Sequence, residues 1–297
     1  MRSSGPPRLL VLGAGTPQLG LLEAARERDI CVIAVDRDPA APGFVFADRR
    51  ALIPSDEEPA IHRLAEAECI DGVVSAGADA TVGIAARVAQ RLSLPHPLAP
   101  ASATLATSRV RQRERFLEAG VPHVPWRLAT DAHVDVRIPC VVKAPDRGGQ
   151  ALAIVRRRSE LAPALRAAIA ASRSGSALVE ELVEGPEVTV HGFSVEGVFH
   201  ELLAADGGGL GELAAAAAAA LGIANGPTQT EIRLTPAGPQ VSELVPSHDG
   251  GLWREAGRLD LNRLVLAGAL GEPIDAGDLL RFGAAHVRTA KPVEAAA

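Results

Sequence analysis

The stretch ALVEELVEGPE, residues 177–187, joins an apolar run to an acidic turn. The apolar run at 177–183 predicts a β-strand, and residues 184–186 predict a turn that leads into a second strand beginning at Glu187. Backbone groups of such a turn can pair with the edge of a nucleotide base. A solvated run of charged side chains explains the same residues, so both interpretations stay open at this point.

A strand and a glycine-containing loop precede this stretch. The apolar run at 138–143 predicts a strand that ends at Lys143, shortly before the loop DRGGQ at 146–150. An ammonium group at that position can reach phosphate oxygens while the backbone N–H groups of the loop close over them. A second strand at 152–155 should return from the loop. A glycine pair also suits an ordinary hairpin, which is the alternative to phosphate binding.

A hairpin pattern follows the stretch. Residues 228–234 and 239–244 alternate as two strands around the turn TPAG at 235–238. Glu231 and Glu243 lie on the two arms. If both side chains point the same way, their carboxylates can share a hard cation that bridges phosphate oxygens. Without a cation, the two acids would have to be separated by solvent.

The first hundred residues alternate between strand and helix. Strands at 8–12 and 31–35 flank one helix, and a strand at 72–74 lies between two more helices. This order predicts an α/β domain with a small parallel, Rossmann-like sheet. The prolines in residues 94–101 then indicate a linker, and the mixed pattern beyond it predicts an α+β domain.

The glycine-rich stretch GAGTPQLG at 13–20 follows a strand and opens a helix. Asp36 ends the next strand, where an acid that binds a ribose would lie in a dinucleotide-binding unit. However, Gln18 replaces the third glycine of that motif, and Pro17 stiffens the turn. A tight turn that needs small residues accounts for the stretch equally well. The start of the helix could also receive the carboxylate or phosphate of a substrate.

Composition excludes several classes of function. The net charge of −6 and the scattered basic residues argue against binding to nucleic acid. The longest apolar block, 213–224, is mostly alanine and too short to cross a bilayer, so we expect a packed helix, no membrane partner and a cytoplasmic protein. Cys31, Cys69 and Cys140 lie in apolar stretches without CxxC spacing, so we expect small buried side chains and no disulfide or zinc site.

Together these motifs resemble the ATP-grasp superfamily, in particular its carboxylate–amine ligases and the related purine-biosynthetic carboxylases. The likeness runs from Leu9 to Glu272. It rests on GAGTPQLG at 13–20, VVK at 141–143, LVEELVEGPE at 178–187 and NGPTQTE at 225–231. The fold that this implies is a pre-ATP-grasp domain over 1–100, an α+β ATP-grasp domain of two lobes over 101–275, and a tail over 276–297.

The resemblance also implies ATP and Mg²⁺ as cofactors and gives each candidate residue a role. Lys143 and Arg109 would contact the phosphates, and Arg254 would assist catalysis from the next helix. Glu187 would hold the ribose. The two metal ligands would be Glu231 and Glu243. The residues assigned to the hinge around adenine are Glu180, Glu181, Leu182 and Val183.

In such enzymes a substrate carboxylate attacks the γ-phosphate to give an acyl phosphate, which an amine then captures. The implied partners are therefore a small carboxylate and an amine, and a homodimer is expected from the relatives. After its last metal ligand the family generally has an asparagine or small residue and then an arginine, where this chain has Val245 and Ser247, and the segment 204–211 is short. These departures motivate an alternative, a degenerate ATP-grasp protein that binds nucleotide or a partner without ligation. A nicotinamide oxidoreductase is disfavoured by Gln18.

Overall fold

The chain forms three four-stranded sheets in the described residues. The computed structural model describes residues 5–77, 80–145, 153–204, 209–247, 260–277 and 279–280. We call the sheets the amino-terminal sheet, the central sheet and the long-strand sheet, in the order in which the chain enters them.

The amino-terminal sheet is parallel, in the order β3-β2-β1-β4. Its strands are β1 (Arg8–Leu12), β2 (Cys31–Val35), β3 (Arg49–Ala51) and β4 (Gly72–Ser75). Its helices are α1 (Leu19–Glu27), α2 (Glu58–Ala67) and α3 (Ala80–Arg91). β1 and β2 are almost completely buried, as expected for parallel strands with helices on both faces. The prediction of a small parallel sheet is confirmed.

The glycine-rich stretch at 13–20 forms a tight turn in which Asp36 is engaged by the protein itself. Gly13 has a φ of +98°, a conformation that favours glycine. The N–H of Ala14 donates to Asp36 Oδ2 at 2.9 Å, and the N–H of Asp38 donates to Oδ1 at 3.0 Å. Because both carboxylate oxygens hold the turn, the geometry favours the tight-turn interpretation over the dinucleotide site.

The central sheet is antiparallel, in the order β5-β8-β6-β7. It is preceded by α4 (Pro100–Ala106) and α5 (Arg109–Glu118) and contains β5 (Trp126–Ala129), β6 (Cys140–Lys143), β7 (Ala153–Val155) and β8 (Ala177–Glu181), with α6 (Arg158–Ala171) between β7 and β8. Helix α6 packs Leu161 and Leu165 against Cys140, Val142 and Val179 on one face. Since side chains alternate along a strand, Lys143 and Glu180 belong to the other face, which we call the open face of this sheet.

The long-strand sheet is also antiparallel, in the order β10-β9-β11-β12. Its elements are β9 (Glu187–Val195), β10 (Val198–Ala204), α7 (Gly211–Ala220), β11 (Gly226–Thr235) and β12 (Gly238–Val245). The alanines of α7 pack against Val190, Ile232, Val241 and Leu244 on one face. The predicted hairpin is confirmed as β11 and β12. None of the helices within the described ranges has the length and apolar character that a membrane crossing requires.

The last helix, α8 (Leu261–Leu270), returns to the amino-terminal sheet. Its residues Leu261, Val265 and Leu266 share one core cluster with Leu9 and Val11. The predicted order of an α/β part followed by antiparallel sheets is therefore confirmed. The domain limits at residues 100 and 275 and the division into two lobes stay predictions.

Two local predictions were wrong. The sequence pattern at 159–171 predicts a helix with Ser159 as its cap, but the helix begins at Arg158, and the carboxylate of Glu160 accepts the backbone N–H groups of Arg156 and Arg157 instead. Cys69 was expected to be buried but is exposed. It ends the turn after α2 with a φ of +49°, so turn geometry rather than apolar packing determines its position.

Candidate functional site

Lys143 is held in a buried ion triad on the open face of the central sheet. Its Nζ lies 2.6 Å from Glu180 Oε2. The other oxygen, Glu180 Oε1, accepts hydrogen bonds from Arg113 Nε at 3.0 Å and from Arg113 Nη2 at 2.7 Å. Neighbouring strands β6 and β8 place Lys143 and Glu180 on one face, whereas Arg113 reaches them from α5. Lys143 is thus oriented at the end of its strand, directly before the predicted phosphate loop.

Glu180 is charged despite its burial. Burial alone raises the pKa of this carboxyl, but the positive charges of Arg113 and Lys143 and their hydrogen bonds bring the pKa below its ordinary value. Together the three side chains carry one net positive charge. Glu180 therefore serves Lys143 as a counter-ion, a function that the predicted hinge role does not include.

Helix α5 connects this triad to the long-strand sheet. Arg109 lies one turn before Arg113 and donates to Glu243 Oε2 on β12 at 3.1 Å. Between them, the buried amide of Gln112 binds the backbone of Leu244, accepting from its N–H at 3.0 Å and donating to its carbonyl at 2.7 Å. The helix is consequently fixed to the strand that carries Glu243.

Glu231 and Glu243 are direct neighbours on β11 and β12, and both side chains face away from α7. A β-bulge makes this possible, because Ile232 pairs with Val241 while Glu231 pairs with Glu243, which leaves Ser242 as the additional residue. The freed carbonyl of Ser242 accepts a hydrogen bond from Arg113 Nη2. The two acids therefore share the open face of the long-strand sheet.

Like charges surround Glu231. Burial raises its pKa, the charges of Glu187 and Glu243 raise it further, and those of Arg109 and Lys143 oppose the increase. Four charged groups, from α5, β6, β9 and β12, therefore lie close enough to Glu231 on β11 to act on it. The carboxylates predicted to bind metal lie near the lysine predicted to bind phosphate.

Two carboxylates suit Mg²⁺ when a nucleotide supplies further oxygens. Mg²⁺ prefers hard oxygen ligands and commonly uses only one or two protein carboxylates together with phosphates and water. In the described ranges no group of three His, Cys, Asp or Glu residues could hold a metal without such help. Glu231 and Glu243 supply two such carboxylates side by side. The donor set therefore fits a nucleotide-bound magnesium ion.

The predicted hinge crosses from the central sheet to the long-strand sheet. Glu181 ends β8 and, by alternation, faces away from Glu180. The N–H groups of Glu181 and Leu182 donate to the carbonyls of Pro125 at 2.9 Å and Pro139 at 3.1 Å. These two donors already have protein acceptors, so a base would meet other groups of the segment, which ends with Val183.

Glu187, the predicted ribose ligand, starts β9 close to the metal-ligand pair. Its carboxylate forms an ion pair of 2.6 Å with Arg233, the cross-strand neighbour on β11. The Arg233 guanidinium also donates to the carbonyl of Gly185 at 3.0 Å. A ribose at this position would compete with Arg233 for Glu187.

Apolar side chains lie on the open face of the central sheet. Ile154 exposes 50% of its surface although it lies in a strand, and it shares a cross-strand row with Val141 and Glu180. Leu128 exposes 44% of its surface on the same face. Half-exposed aliphatic side chains in such a position provide a surface on which a flat apolar group can pack.

A cavity of about 520 Å³ opens at the end of the sheet where Lys143 lies. Arg109 and Glu243 line it together with Pro145, which precedes the glycine loop, and Ser176, which precedes β8. The arginines 109, 111 and 173 give its walls a positive balance over the two acids that also line it. The cavity therefore suits an anionic group.

Some predicted site residues lie elsewhere. Arg254 and the loop at 146–150 fall outside the described residues, so their roles stay predictions. Val245 lies on β12, and the hydroxyl of Ser247 donates to the carbonyl of Ala76 at 3.3 Å. Ser247 is thus tied to the amino-terminal part of the chain.

Sequence patterns did not single out four features of the site. Arg113 and Gln112 lie in a highly polar helix, yet both are buried. The bulge at Ser242 leaves no mark in a regular strand pattern. Ile154 is one of three apolar residues in a short strand, and only the sheet shows which of them is exposed.

Known proteins match part of this sequence. No family model matches the chain. The formate-dependent phosphoribosylglycinamide formyltransferase of Burkholderia pseudomallei is 31% identical over 191 residues, which are 62% of this chain and 47% of that protein. The homologous enzyme of Burkholderia thailandensis is 30% identical over 192 residues. The chain spans about half the length of the curated relatives that it matches.

Solved structures share the fold over nearly the whole chain. The L-amino acid ligase of Bacillus licheniformis has a TM-score of 0.77 at 20% identity and covers 93% of this chain and 77% of its own. The N5-carboxyaminoimidazole ribonucleotide synthetase of Thermotoga maritima has a TM-score of 0.72 at 20% identity and covers 91% and 77%. The chain therefore shares the fold of these structures, which are ATP-grasp enzymes, as the resemblance of its motifs predicted.

Proposed function

We propose that the chain binds Mg·ATP and uses it to activate a small carboxylate as an acyl phosphate for attack by an amine. The observation that carries this proposal is the placement of Glu231 and Glu243 side by side, with the charges of Lys143 and Arg109 acting on them. A metal–triphosphate complex has the charges that such a group can complement.

Each group has a function in this proposal. Lys143 contacts phosphate oxygens and is aimed by Glu180. Arg109 lies between the metal carboxylates and the cationic cavity, where it can hold the transferred phosphoryl group. Ile154 supplies an apolar surface for the base, and Glu187 binds the ribose. When bound, Mg²⁺ neutralises the negative charge that develops on the phosphate oxygens.

The chemistry then consists of two displacements. An oxygen of the substrate carboxylate attacks the γ-phosphorus, and ADP leaves with the electrons of the broken P–O bond. The amine attacks the acyl carbon, phosphate leaves, and the nitrogen loses a proton. The contribution of the protein is alignment and charge neutralisation, which the cationic cavity next to Glu243 supports.

The relatives support this class of reaction without giving the substrates. Among the similar structures are an L-amino acid ligase and a biotin carboxylase domain in complex with MgADP and bicarbonate. Identities below 25% carry the fold and not the specificity, so the carboxylate and the amine are defined here only as classes. A homodimer likewise stays a prediction.

The test begins with binding. Thermal unfolding with ATP and Mg²⁺ should show a stabilised protein, by about 2.7 kcal/mol at a ligand concentration of a hundred times Kd. A Glu243→Gln variant is the matched control, because it removes one oxygen ligand of the metal at nearly constant volume. It should lose the magnesium-dependent part of the shift. A wild-type protein that shows no shift would exclude the proposal.

Turnover separates the ligase from its degenerate alternative. Release of ADP after addition of mixed amino acids or other small carboxylates, with an amine present, is expected for the ligase. Nucleotide binding without ADP release in any mixture would favour the protein that binds without ligation. The observations that motivated this alternative were Val245, Ser247 and the short segment at 204–211, of which 205–208 lie outside the described residues.

A further inference from the structure

Arg113 contacts both sides of the site although it belongs to neither sheet. Its guanidinium binds Glu180, which holds Lys143 with its second oxygen. The same Nη2 donates to the carbonyl of Ser242, the bulged residue directly before Glu243. Arg113 therefore contacts the partner of Lys143, the proposed phosphate ligand. It also contacts the residue that directly precedes Glu243, the proposed metal ligand.

Stability does not explain this residue. Arg113 has no exposed surface, and its Nη1 has no hydrogen-bond partner among the described residues. A buried guanidinium with an unused donor is costly, and apolar side chains of similar volume often replace buried ion pairs without loss of stability. The arrangement is better explained by what it does to Lys143 and Glu243.

Charge gives the first part of the explanation. Without Arg113, Lys143 and Glu180 would form a neutral pair, and the field that attracts a triphosphate would weaken. With Arg113, the triad keeps one net positive charge. Because Arg113 occupies Oε1 of Glu180, Lys143 is left with Oε2, and this fixes the direction from which the ammonium group meets a ligand.

Geometry gives the second part. The carbonyl of Ser242 is free because of the bulge, and the bulge sets the face on which Glu243 lies. A charged donor on this carbonyl stabilises the bulged conformation. Arg109, one helical turn away, holds the carboxylate of Glu243 itself.

We propose that Arg113 is a positioning residue that sets Lys143 and Glu243 in register for one Mg·ATP. It acts on Lys143 through Glu180 and on Glu243 through the carbonyl of Ser242. This inference rests on the proposed function, because it assigns Arg113 a role in that same nucleotide site.

The experiment compares Arg113→Met with wild type by calorimetric titration of three ligands: ATP with Mg²⁺, ATP with EDTA, and adenosine. The titration of ATP with EDTA measures the effect of Arg113 that acts through Lys143. The titration with Mg²⁺ also includes the effect that acts through Glu243. ATP affinity should fall about tenfold or more in both arms, the size of one charge-assisted hydrogen bond. The Mg²⁺ concentration needed for half-maximal ATP binding should rise. Adenosine affinity should not change.

Two further variants test the path itself. In a Lys143→Met background, Arg113→Met should cause a smaller loss of ATP affinity in EDTA than it causes in wild type, since it then removes a charge but no longer the positioning of the ammonium group. Arg115→Met is the control on the same helix, because Arg115 is paired with Glu118 at the surface. It should bind all three ligands as wild type does.

The outcomes are decisive. A folded Arg113→Met protein that binds ATP as wild type does, or that loses adenosine equally, overturns the inference and leaves the proposed function intact. If Arg113→Met does not fold, Arg113→Lys is the substitute, because it keeps the charge but not the several N–H donors of the planar guanidinium. Unchanged ATP affinity in that variant overturns the inference as well. A wild-type protein without affinity for Mg·ATP overturns the proposed function and this inference together.

Discussion

Glu231 and Glu243 lie directly opposite each other on neighbouring antiparallel strands, with both carboxylates on the same face of the sheet. Like charges in this position repel, and each protein that keeps such a pair needs positive charge nearby. Arg109 contacts Glu243, but burial raises the pKa of Glu231 and the charges of Glu187 and Glu243 raise it further, against the opposing charges of Arg109 and Lys143. The pair is therefore under electrostatic stress when no cation is bound.

We expect Glu231→Gln to stabilise the metal-free protein. Removing one charge from the pair should add about 0.5–1 kcal/mol to the free energy of unfolding in urea with EDTA. With Mg·ATP present the sign should reverse, because the variant lacks a metal ligand. Glu184→Gln, an exposed acid in the turn before β9, is the control and should change neither value. A Glu231→Gln protein that is less stable in EDTA would show that the acids do not repel.

Lys143→Met should weaken the binding of ATP but not of adenosine. The ammonium group lies at the end of β6, where it is proposed to contact the phosphates, so its loss should remove that contact and leave Glu180 paired with Arg113. Affinity for ATP should fall about tenfold or more in competition binding. Equal losses for ATP and adenosine would contradict the assignment of Lys143 to the phosphates.

The pKa of Glu180 predicts a pH dependence of stability. Its pKa in the folded protein is lowered from 4.5, because the charges of Arg113 and Lys143 outweigh the effect of burial. A lowered carboxyl pKa gives stability that is fully present above the pKa of the unfolded chain and is lost as the pH falls through the folded value. The free energy of unfolding of wild type should therefore fall more steeply below about pH 4.5 than that of Glu180→Gln.

Glu58 offers a matched control for that titration. Its pKa is also lowered, first through the hydrogen bond from Arg87, but this pair is at the surface. Exposed ion pairs contribute little to stability. In Glu58→Gln, the free energy of unfolding should therefore fall with acid pH much as it does in wild type. A dependence on pH as weak as that of Glu180→Gln would refute the claim that burial makes the ion pair of Glu180 important for stability.

Gln112→Ala should destabilise the protein strongly. The amide of Gln112 is the partner of both backbone groups of Leu244, and its removal leaves a buried N–H and a buried carbonyl unsatisfied. The free energy of unfolding should fall by about 2–3 kcal/mol in chemical denaturation. Leu117→Ala, an exposed position on the same helix, should change it by less than about 0.5 kcal/mol. Similar values for the two variants would mean that α5 is not fixed through Gln112.

Local patterns predicted much of the fold. The bounds of β1 and β2 were predicted without error, because each is an apolar run limited by glycine or aspartate. The hairpin was predicted from alternation and its turn, and the prediction that its acids could face one way followed from the same pattern. These features depend on neighbours close in sequence, which a single chain reveals.

The rest depends on contacts between distant residues. A solvated charge run was one interpretation of the stretch that contains Glu180, and no pattern marked Arg113 as a site residue. Each is buried because of the other, across 67 positions of the chain. Ser159 and Cys69 show the same limit at smaller scale, since a competing carboxylate and a turn decided their positions. Secondary-structure propensity is a property of a single residue, and it does not identify the distant residue that the side chain contacts.

The additional residue at Ser242 has a consequence for comparing this chain with others. Val241 and Glu243 are two positions apart, and in a regular strand such residues point to the same face. Without the bulge, either the core would contain the carboxylate of Glu243 or the open face of the sheet would lose it. A hairpin shortened by one residue could not place Val241 in the core and Glu243 on the open face together. If a related chain lacks this extra residue, a sequence alignment without a gap would pair Glu243 with a residue whose side chain points into the interior.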